Sequence, residues 1–113
     1  MAIAPGTYNM TIQRRSDHSV NFELTDNNNA AINLTGYSLT SQIWDSARTT
    51  KAADATITIT NTTGGLFTWK VTDTQTTSLT AAEYKYDILL TNSSGDKEYW
   101  VRGIIYMEEG YTA

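Results

Sequence analysis

The chain has 113 residues and a formal net charge of −4 at pH 7, which argues against general binding to nucleic acid or to an anionic membrane surface, since both require a basic surface. It contains no cysteine, which excludes disulfides, thiolate nucleophiles and zinc–thiolate clusters. Only 18% of the residues are charged, and the abundance of threonine, asparagine and serine is typical of an all-β domain with polar turns.

The first six residues are predicted to form an N-terminal arm of a single domain that covers residues 1–113. They lack the charged start and the long apolar block of a signal peptide. No apolar run approaches the roughly 20 residues that span a bilayer. We therefore expect synthesis in the cytoplasm and no membrane segment.

Alternation of apolar and polar residues predicts short strands in the first third of the chain, because side chains of a strand point to opposite faces in turn. Turns are predicted at residues 14–18 and at the Asp-Asn-Asn-Asn run of residues 26–29. The apolar members of these first strands are Tyr8, Met10 and Ile12, then Val20, Phe22 and Leu24, and more briefly Ile32 and Leu34.

The clearest strand follows a Thr-Gly turn at residues 35–36 and ends at Trp44. Its predicted core face carries Tyr37, Leu39, Ser41 and Ile43, and its other face carries Ser38, Thr40, Gln42 and Trp44. The segment from Asp45 to Ala55 has no apolar period and is predicted to be a long loop that carries Arg48 and Lys51.

The second half of the chain repeats the strand pattern. Residues 61–65 are predicted to close a hairpin, with two glycines free to adopt positive φ. Thr80 and Glu83 have the spacing of a capping box, which predicts one helical turn there. The apolar members of these strands are Ile57 and Ile59, then Phe67, Trp69 and Val71, then Tyr84, Tyr86, Ile88 and Leu90.

The last strand, from Tyr99 to Met107, is apolar on both faces. One predicted face carries Tyr99, Val101, Gly103, Ile105 and Met107, and the other carries Trp100, Arg102, Ile104 and Tyr106. A glycine in mid-strand predicts a bulge or a close backbone approach. Seven or eight such short strands predict an all-β fold, an immunoglobulin-like antiparallel β-sandwich.

The polar residues show no local pattern for catalysis. His18 is the only histidine, which excludes a histidine triad or a multi-histidine metal site, and its place in a predicted turn favours solvation. Residues 26–29 lack the glycine and the glutamate of an EF-hand calcium loop. We therefore predict that the protein is not an enzyme and holds no metal or cofactor.

Aromatic residues on the predicted outer faces give the best functional signal. Exposed Trp and Tyr are typical anchors of protein interfaces and of sugar-binding platforms. The alternative is that one or both of Trp44 and Trp100 cover a sheet edge or fill the inner face of the second sheet. The predicted protein-interface residues are Trp44, Arg48, Lys51, Trp100, Arg102, Ile104 and Tyr106.

Two stretches are similar to a known family of phage proteins. Residues 34–43 begin Leu-Thr-Gly-Tyr and end in Ile, and residues 84–88 read Tyr-Lys-Tyr-Asp-Ile. With the strand at 20–24, the polar turn at 26–29 and the late Gly103, the chain resembles the immunoglobulin-like domain at the N-terminus of phage baseplate upper proteins, and related small virion proteins. The family usually has an arginine soon after that Ile, whereas Trp44 follows it here.

The resemblance implies a structural protein of a tailed bacteriophage virion, made in the host cytoplasm. Its expected partners are other virion proteins, of the capsid or of the tail and baseplate. A capsid decoration, cement or adaptor protein is the favoured role. A tail or baseplate accessory domain and a carbohydrate-binding module are the alternatives, and a homo-oligomer and a host glycan remain open as partners.

Overall fold

The structure, a computed structural model, describes residues 6–25, 28 and 30–109. Strand accounts for 59% and helix for 5% of the described residues, so the predicted all-β class is confirmed. Within the described residues the elements are β1 (Gly6–Thr7), β2 (Met10–Gln13), β3 (His18–Glu23), β4 (Ser38–Asp45), β5 (Lys51–Asn61), β6 (Leu66–Val71), α1 (Asp73–Thr77), β7 (Glu83–Thr91) and β8 (Lys97–Glu108).

The strands form one curled sheet in the order β1-β8-β7-β4-β5-β6-β3, with β2 also pairing with β8. The first half of β5 pairs with β4 and its second half pairs with β6, so this strand connects the two layers of a sandwich-like fold. We call β1, β2, β8, β7, β4 and the first half of β5 the large layer, and the rest the small layer.

The sheet is mixed, since β1 and β2 run parallel to β8 while the remaining pairs are antiparallel. The prediction of a purely antiparallel sheet is therefore wrong at this edge: β2 and β8 lie far apart in the chain, so no tight hairpin forces them to be antiparallel. The immunoglobulin-like assignment stays a prediction. One feature that favours it is Tyr84 at the start of β7, whose Oη accepts a hydrogen bond of 2.9 Å from the N–H of Ala81, as in the tyrosine corner of such sandwiches.

The core lies between the two layers and follows the predicted alternation. Trp69 and Phe67 of the small layer are fully buried, and the Trp69 ring packs at 5.5 Å from that of Tyr86 in the large layer. The other buried apolar side chains are Met10, Ile12, Leu24, Ile32, Leu34, Ile43, Val71, Leu79, Tyr84, Ile88, Leu90, Val101 and Ile105. Almost all of them belong to the apolar sets that alternation predicts to face inward.

The predicted positions of two structural elements are wrong. Lys51 to Ala55, predicted as part of a loop, forms the first half of β5, because backbone pairing with β4 needs no apolar period and three small alanines cover the core edge. The helical turn lies at Asp73–Thr77 and not at Thr80–Glu83. Its capping box uses the side chains of Thr72 and Gln75, which satisfy backbone N–H groups at the helix start.

Gly103 confirms the predicted close backbone approach. A Cβ at this position would lie 2.0 Å from the backbone oxygen of Tyr8, so no larger residue fits without displacing the link between β1 and β2. In that link a side chain takes the place of a backbone carbonyl as acceptor: Asn9 Oδ1 accepts a 2.9 Å hydrogen bond from the N–H of Ile104 in β8. The predicted N-terminal arm lies outside the described residues except for Gly6, which begins β1, and most of the predicted turn at 26–29 lies outside them too.

A bulge reverses the faces at the start of β8. Leu89 pairs with Tyr99 while Ile88 pairs with Val101, which leaves Trp100 as an extra residue. As a result Tyr99 is 53% exposed, and the Trp100 ring packs against Phe22 and Phe67 at 5.9 and 5.5 Å. The predicted outward direction of Trp100 is therefore wrong.

Candidate functional site

The outer face of the large layer carries a groove of about 540 Å³, within the size range of small-molecule sites. Its floor is formed by neighbouring residues of β4, β7 and β8. One wall is the turn between β4 and β5, and the other is the link between β1 and β2. We call this the outer-face groove; it is lined by Thr7, Asn9, Gln42, Trp44, Asp45, Ser46, Arg48, Lys85, Tyr86, Asp87, Arg102, Gly103 and Ile104.

Strand register aligns the floor residues in two rows. The first row is polar, with Gln42 opposite Asp87 and Asp87 opposite Arg102. The second row is more apolar, with Trp44 opposite Lys85 and Lys85 opposite Ile104. Directly opposed side chains of antiparallel strands lie about 5 Å apart at Cβ, so each row presents its groups side by side.

The turn between β4 and β5 is held by Asp45. Its carboxylate accepts hydrogen bonds from the N–H of Thr49 at 2.7 Å and from the Thr49 hydroxyl. These bonds, with that from the hydroxyl first, lower the pKa of Asp45. The turn places Arg48 at a positive φ of 57° and holds its guanidinium over the Trp44 ring, 4.6 Å from the ring centre.

Asp87 lies at the centre of the groove floor and is half-buried. Burial raises the pKa of its carboxyl group, and the nearby Arg48 lowers it by a smaller amount. Trp44, also half-buried, donates from Nε1 to Gln42 Oε1 at 3.0 Å, and the amide nitrogen of Gln42 makes no hydrogen bond among the described residues.

The charged groups of the groove floor make no bonds with one another. Among the described residues, the side chains of Lys85, Asp87 and Arg102 take part in no hydrogen bond or ion pair. Of the other basic residues, Arg14 and Arg15 pair with Glu109 and Lys51 pairs with Asp54, whereas Lys70 and Lys97 make no such bond in the described structure either. The groove therefore offers cationic donors and one carboxylate acceptor that the fold itself does not use.

The structure brings together four of the seven residues predicted from sequence. Trp44, Arg48, Arg102 and Ile104 line the outer-face groove. Lys51 lies beside the groove, because it is opposite Trp44 in the pairing of β5 with β4. Its Nζ lies 3.0 Å from Oδ2 of Asp54. Tyr106 is on the same face of β8 and is 39% exposed, whereas Trp100 lies on the core side.

Sequence reasoning missed Gln42, Lys85 and Asp87 as members of the site. Alternation places Lys85 and Asp87 on the outer side of their strand, but nothing local shows that Asp87 lies between Gln42 and Arg102. His18, predicted as a solvated turn residue, begins β3, and its ring lies 6.4 Å from that of Trp69. Burial lowers the pKa of His18.

No protein family model and no curated protein matches this chain. Among the described residues, no helix is long and apolar enough to cross a membrane. That same part of the chain holds no group of three or more His, Cys, Asp or Glu side chains placed to bind a metal ion.

Proposed function

We propose that this protein is a non-enzymatic structural protein of a tailed-phage virion, which binds other virion proteins as a capsid decoration, cement or adaptor protein. The first support is the resemblance described above. The two stretches that carry it, residues 34–43 and 84–88, contribute the central strand pair of the large layer, in which Ile43 lies opposite Tyr86 and Ser41 opposite Ile88.

The observation that carries the proposal is the edge of the small layer. β3 pairs with β6 over six residues without a register shift and, in the described part of the chain, has no strand on its other side. It contains no proline, lysine or bulge, three of the features that block an exposed edge, and its acidic residue, Glu23, stands at its end. Such an edge binds an extended strand of a partner protein by backbone hydrogen bonds.

The hydrogen-bond pattern shows which groups face the partner. The N–H of Leu24 bonds to the oxygen of Gly65 at 2.8 Å, so the alternation of an antiparallel ladder directs the N–H groups of Ser19 and Asn21 toward the free edge. The Asn21 side chain is bound within the layer, since its Oδ1 accepts a 3.0 Å hydrogen bond from the Thr68 hydroxyl.

The experiment compares Asn21→Pro with Asn21→Ala in particles of the phage that encodes the chain. Both variants lose the bond to Thr68, but only proline removes the outward N–H. We expect mass spectrometry of purified particles to find the parent and the alanine variant, with the proline variant reduced at least tenfold while purified Asn21→Pro keeps its β circular dichroism spectrum. Absence of the parent chain from particles would overturn the proposal, and equal incorporation of both variants would remove β3 as the contact.

The outer face is a second candidate surface for virion partners. The residues predicted from sequence that lie there are Trp44, Arg48, Lys51, Arg102, Ile104 and Tyr106. Aromatic and arginine side chains dominate the binding energy of many interfaces. A role in the tail or baseplate would use the same two surfaces, so β3 and the outer face are candidates for either location.

A further inference from the structure

We propose that the outer-face groove binds a sugar that carries a carboxylate, such as a uronic acid or a sialic acid. This inference goes beyond the virion role and does not depend on it, because the observation that carries the virion proposal is the β3 edge, in the other layer. It develops the carbohydrate-binding alternative raised by the sequence. The class of sugar is inferred from the side chains that line the groove.

The unpaired groups define what the ligand must contain. Lys85 and Arg102 are cationic donors without partners among the described residues, and arginine binds carboxylates through two parallel hydrogen bonds. The whole chain has a net charge of −4, so these two cations differ in sign from the chain as a whole. They favour an anionic group at the end of the polar row formed by Arg102.

The carboxylate of Asp87 sets a second requirement. Ionised, it can only accept hydrogen bonds, and it lies between Arg102 and Gln42 in the polar row. A simple anion would be repelled by Asp87. Sugar hydroxyls donate to a carboxylate and accept from an amide N–H at the same time, so a polyhydroxylated acid satisfies all three residues.

The apolar row supplies a contact for the sugar ring. Trp44 and Ile104 lie at opposite ends of this row, with Lys85 between them, and the flat, partly apolar face of a ring packs on indole. Arg48 now covers the Trp44 ring at 4.6 Å. We expect this exposed side chain, which makes no hydrogen bond through its guanidinium in the described structure, to move aside when the sugar stacks.

An acidic polypeptide segment fits the groove less well. Its carboxylate would pair with Arg102 and Lys85 as a sugar acid does. Only backbone N–H groups would be left for Asp87, and an extended chain would have to follow a groove that is closed on two sides by the 45–48 turn and by Thr7 and Asn9. The sugar is therefore the occupant that the geometry favours.

The test is an NMR titration of the full chain with methyl glucuronide, methyl galacturonide and the methyl glycoside of N-acetylneuraminic acid. Methyl glucoside, with a hydroxymethyl in place of the carboxylate, and acetate, with no ring, are the matched control ligands. We expect at least one acidic sugar to shift amide signals of β4, β7 and β8 around the groove, with an affinity at least tenfold above that of methyl glucoside and of acetate.

Variants locate the site. Arg102→Gln and Asp87→Asn should each weaken binding at least tenfold. Lys97→Gln, at the exposed start of the same strand β8, should leave it unchanged. Arg48→Ala should strengthen binding or leave it unchanged, because the arginine covers the ring.

Three results would overturn the proposal. The first is no saturable binding of any of the three acidic sugars to folded protein. The second is binding that is equal in Arg102→Gln and the parent. The third is tighter binding of a blocked acidic peptide, such as acetyl-Leu-Glu-Leu-amide, which would assign the groove to a polypeptide. The virion proposal is tested separately, by the presence of the parent chain in particles and by the comparison of Asn21→Pro with Asn21→Ala.

Discussion

The inner and outer faces of the large layer treat polar side chains in opposite ways. On the inner face, Trp69 Nε1 donates to Ser41 Oγ at 2.8 Å, and Ser41 Oγ donates to the backbone oxygen of Asp87 at 2.5 Å. Tyr86 Oη donates to the backbone oxygen of Tyr8 at 2.5 Å. On the outer face, the side chains of Lys85, Asp87 and Arg102 have no such partner among the described residues.

The two faces of the same strands therefore differ in what their polar groups do. Those on the inner face are bonded within the fold, and those on the outer face are not. A buried polar atom without a partner costs about 1 to 3 kcal/mol, so the engagement of these inner polar atoms supports the packing of the two layers. The outer groups lie in an open groove and make no bonds within the described structure, which leaves their hydrogen-bonding capacity for the binding proposed above. Substitutions on the two faces should therefore have effects of different size and kind.

The largest contrast is expected between two tryptophans. Trp69→Ala removes a fully buried ring from between the layers, which should lower the free energy of unfolding by about 3 to 5 kcal/mol. Trp44→Ala removes a half-buried ring whose main contacts are Gln42 and Arg48, and the loss should be about 1 kcal/mol. Urea denaturation followed by far-UV circular dichroism measures both, and similar losses would contradict the division into a structural and a binding face.

A smaller contrast is expected between two serines of β4. Ser41→Ala leaves the indole N–H of Trp69 without an acceptor in the core, and should cost about 1 to 3 kcal/mol. Ser38→Ala, on the exposed side of the same strand, should change stability by no more than about 0.5 kcal/mol.

A double-mutant cycle tests the cause of this cost. In a Trp69→Phe background there is no indole N–H to satisfy, so the cost of Ser41→Ala should become smaller. An undiminished cost would show that the serine acts through its bond to the backbone of Asp87 alone.

Sequence alone predicted the inner face well and the outer site only in part. Alternation assigns Ile43, Trp69 and Ile88 to the core because a period of two fixes the face of every residue in a regular strand. It is wrong where regularity breaks, as at Trp100, where one bulge residue reverses the direction of the side chains. It also misses the first half of β5, where pairing and small side chains replace the apolar period.

The groove could not be predicted because its rows join residues far apart in the chain. Gln42, Asp87 and Arg102 belong to strands whose pairing register depends on their joint packing in the core and on the connecting turns, which the pattern along one strand does not give. Trp44 and Arg102 were predicted one by one, because tryptophan and arginine are common at protein interfaces. Asp87 was not, since an outward aspartate in a strand has no local sign that its neighbours will half-bury it.

The smallest effect, and one of opposite sign, is expected for Asp87→Asn. Burial raises the pKa of Asp87 above its ordinary value near 4, with Arg48 opposing the shift. Because the folded state then holds the proton more tightly than the unfolded state, ionisation of Asp87 makes stability fall as pH rises through the window from about 4 to the raised pKa. The asparagine side chain cannot ionise, so the variant should match the parent at low pH and exceed it at neutral pH. Water screens this half-buried group, so the gain should be no more than about 0.5 kcal/mol.

Urea denaturation of both proteins at a series of pH values from about 3 to about 7 measures this difference, since that range begins below the ordinary aspartate pKa and extends well above it. Thr40→Ala, on the same outer face but without a titrating group, is the control and should show a pH-independent difference from the parent. A parent that gains stability over the variant as pH rises would mean that Asp87 is stabilised by its cationic neighbours, and the carboxylate would then belong to the fold. The expected result would show that ionised Asp87 costs the folded chain stability, as expected for a group that the fold does not use.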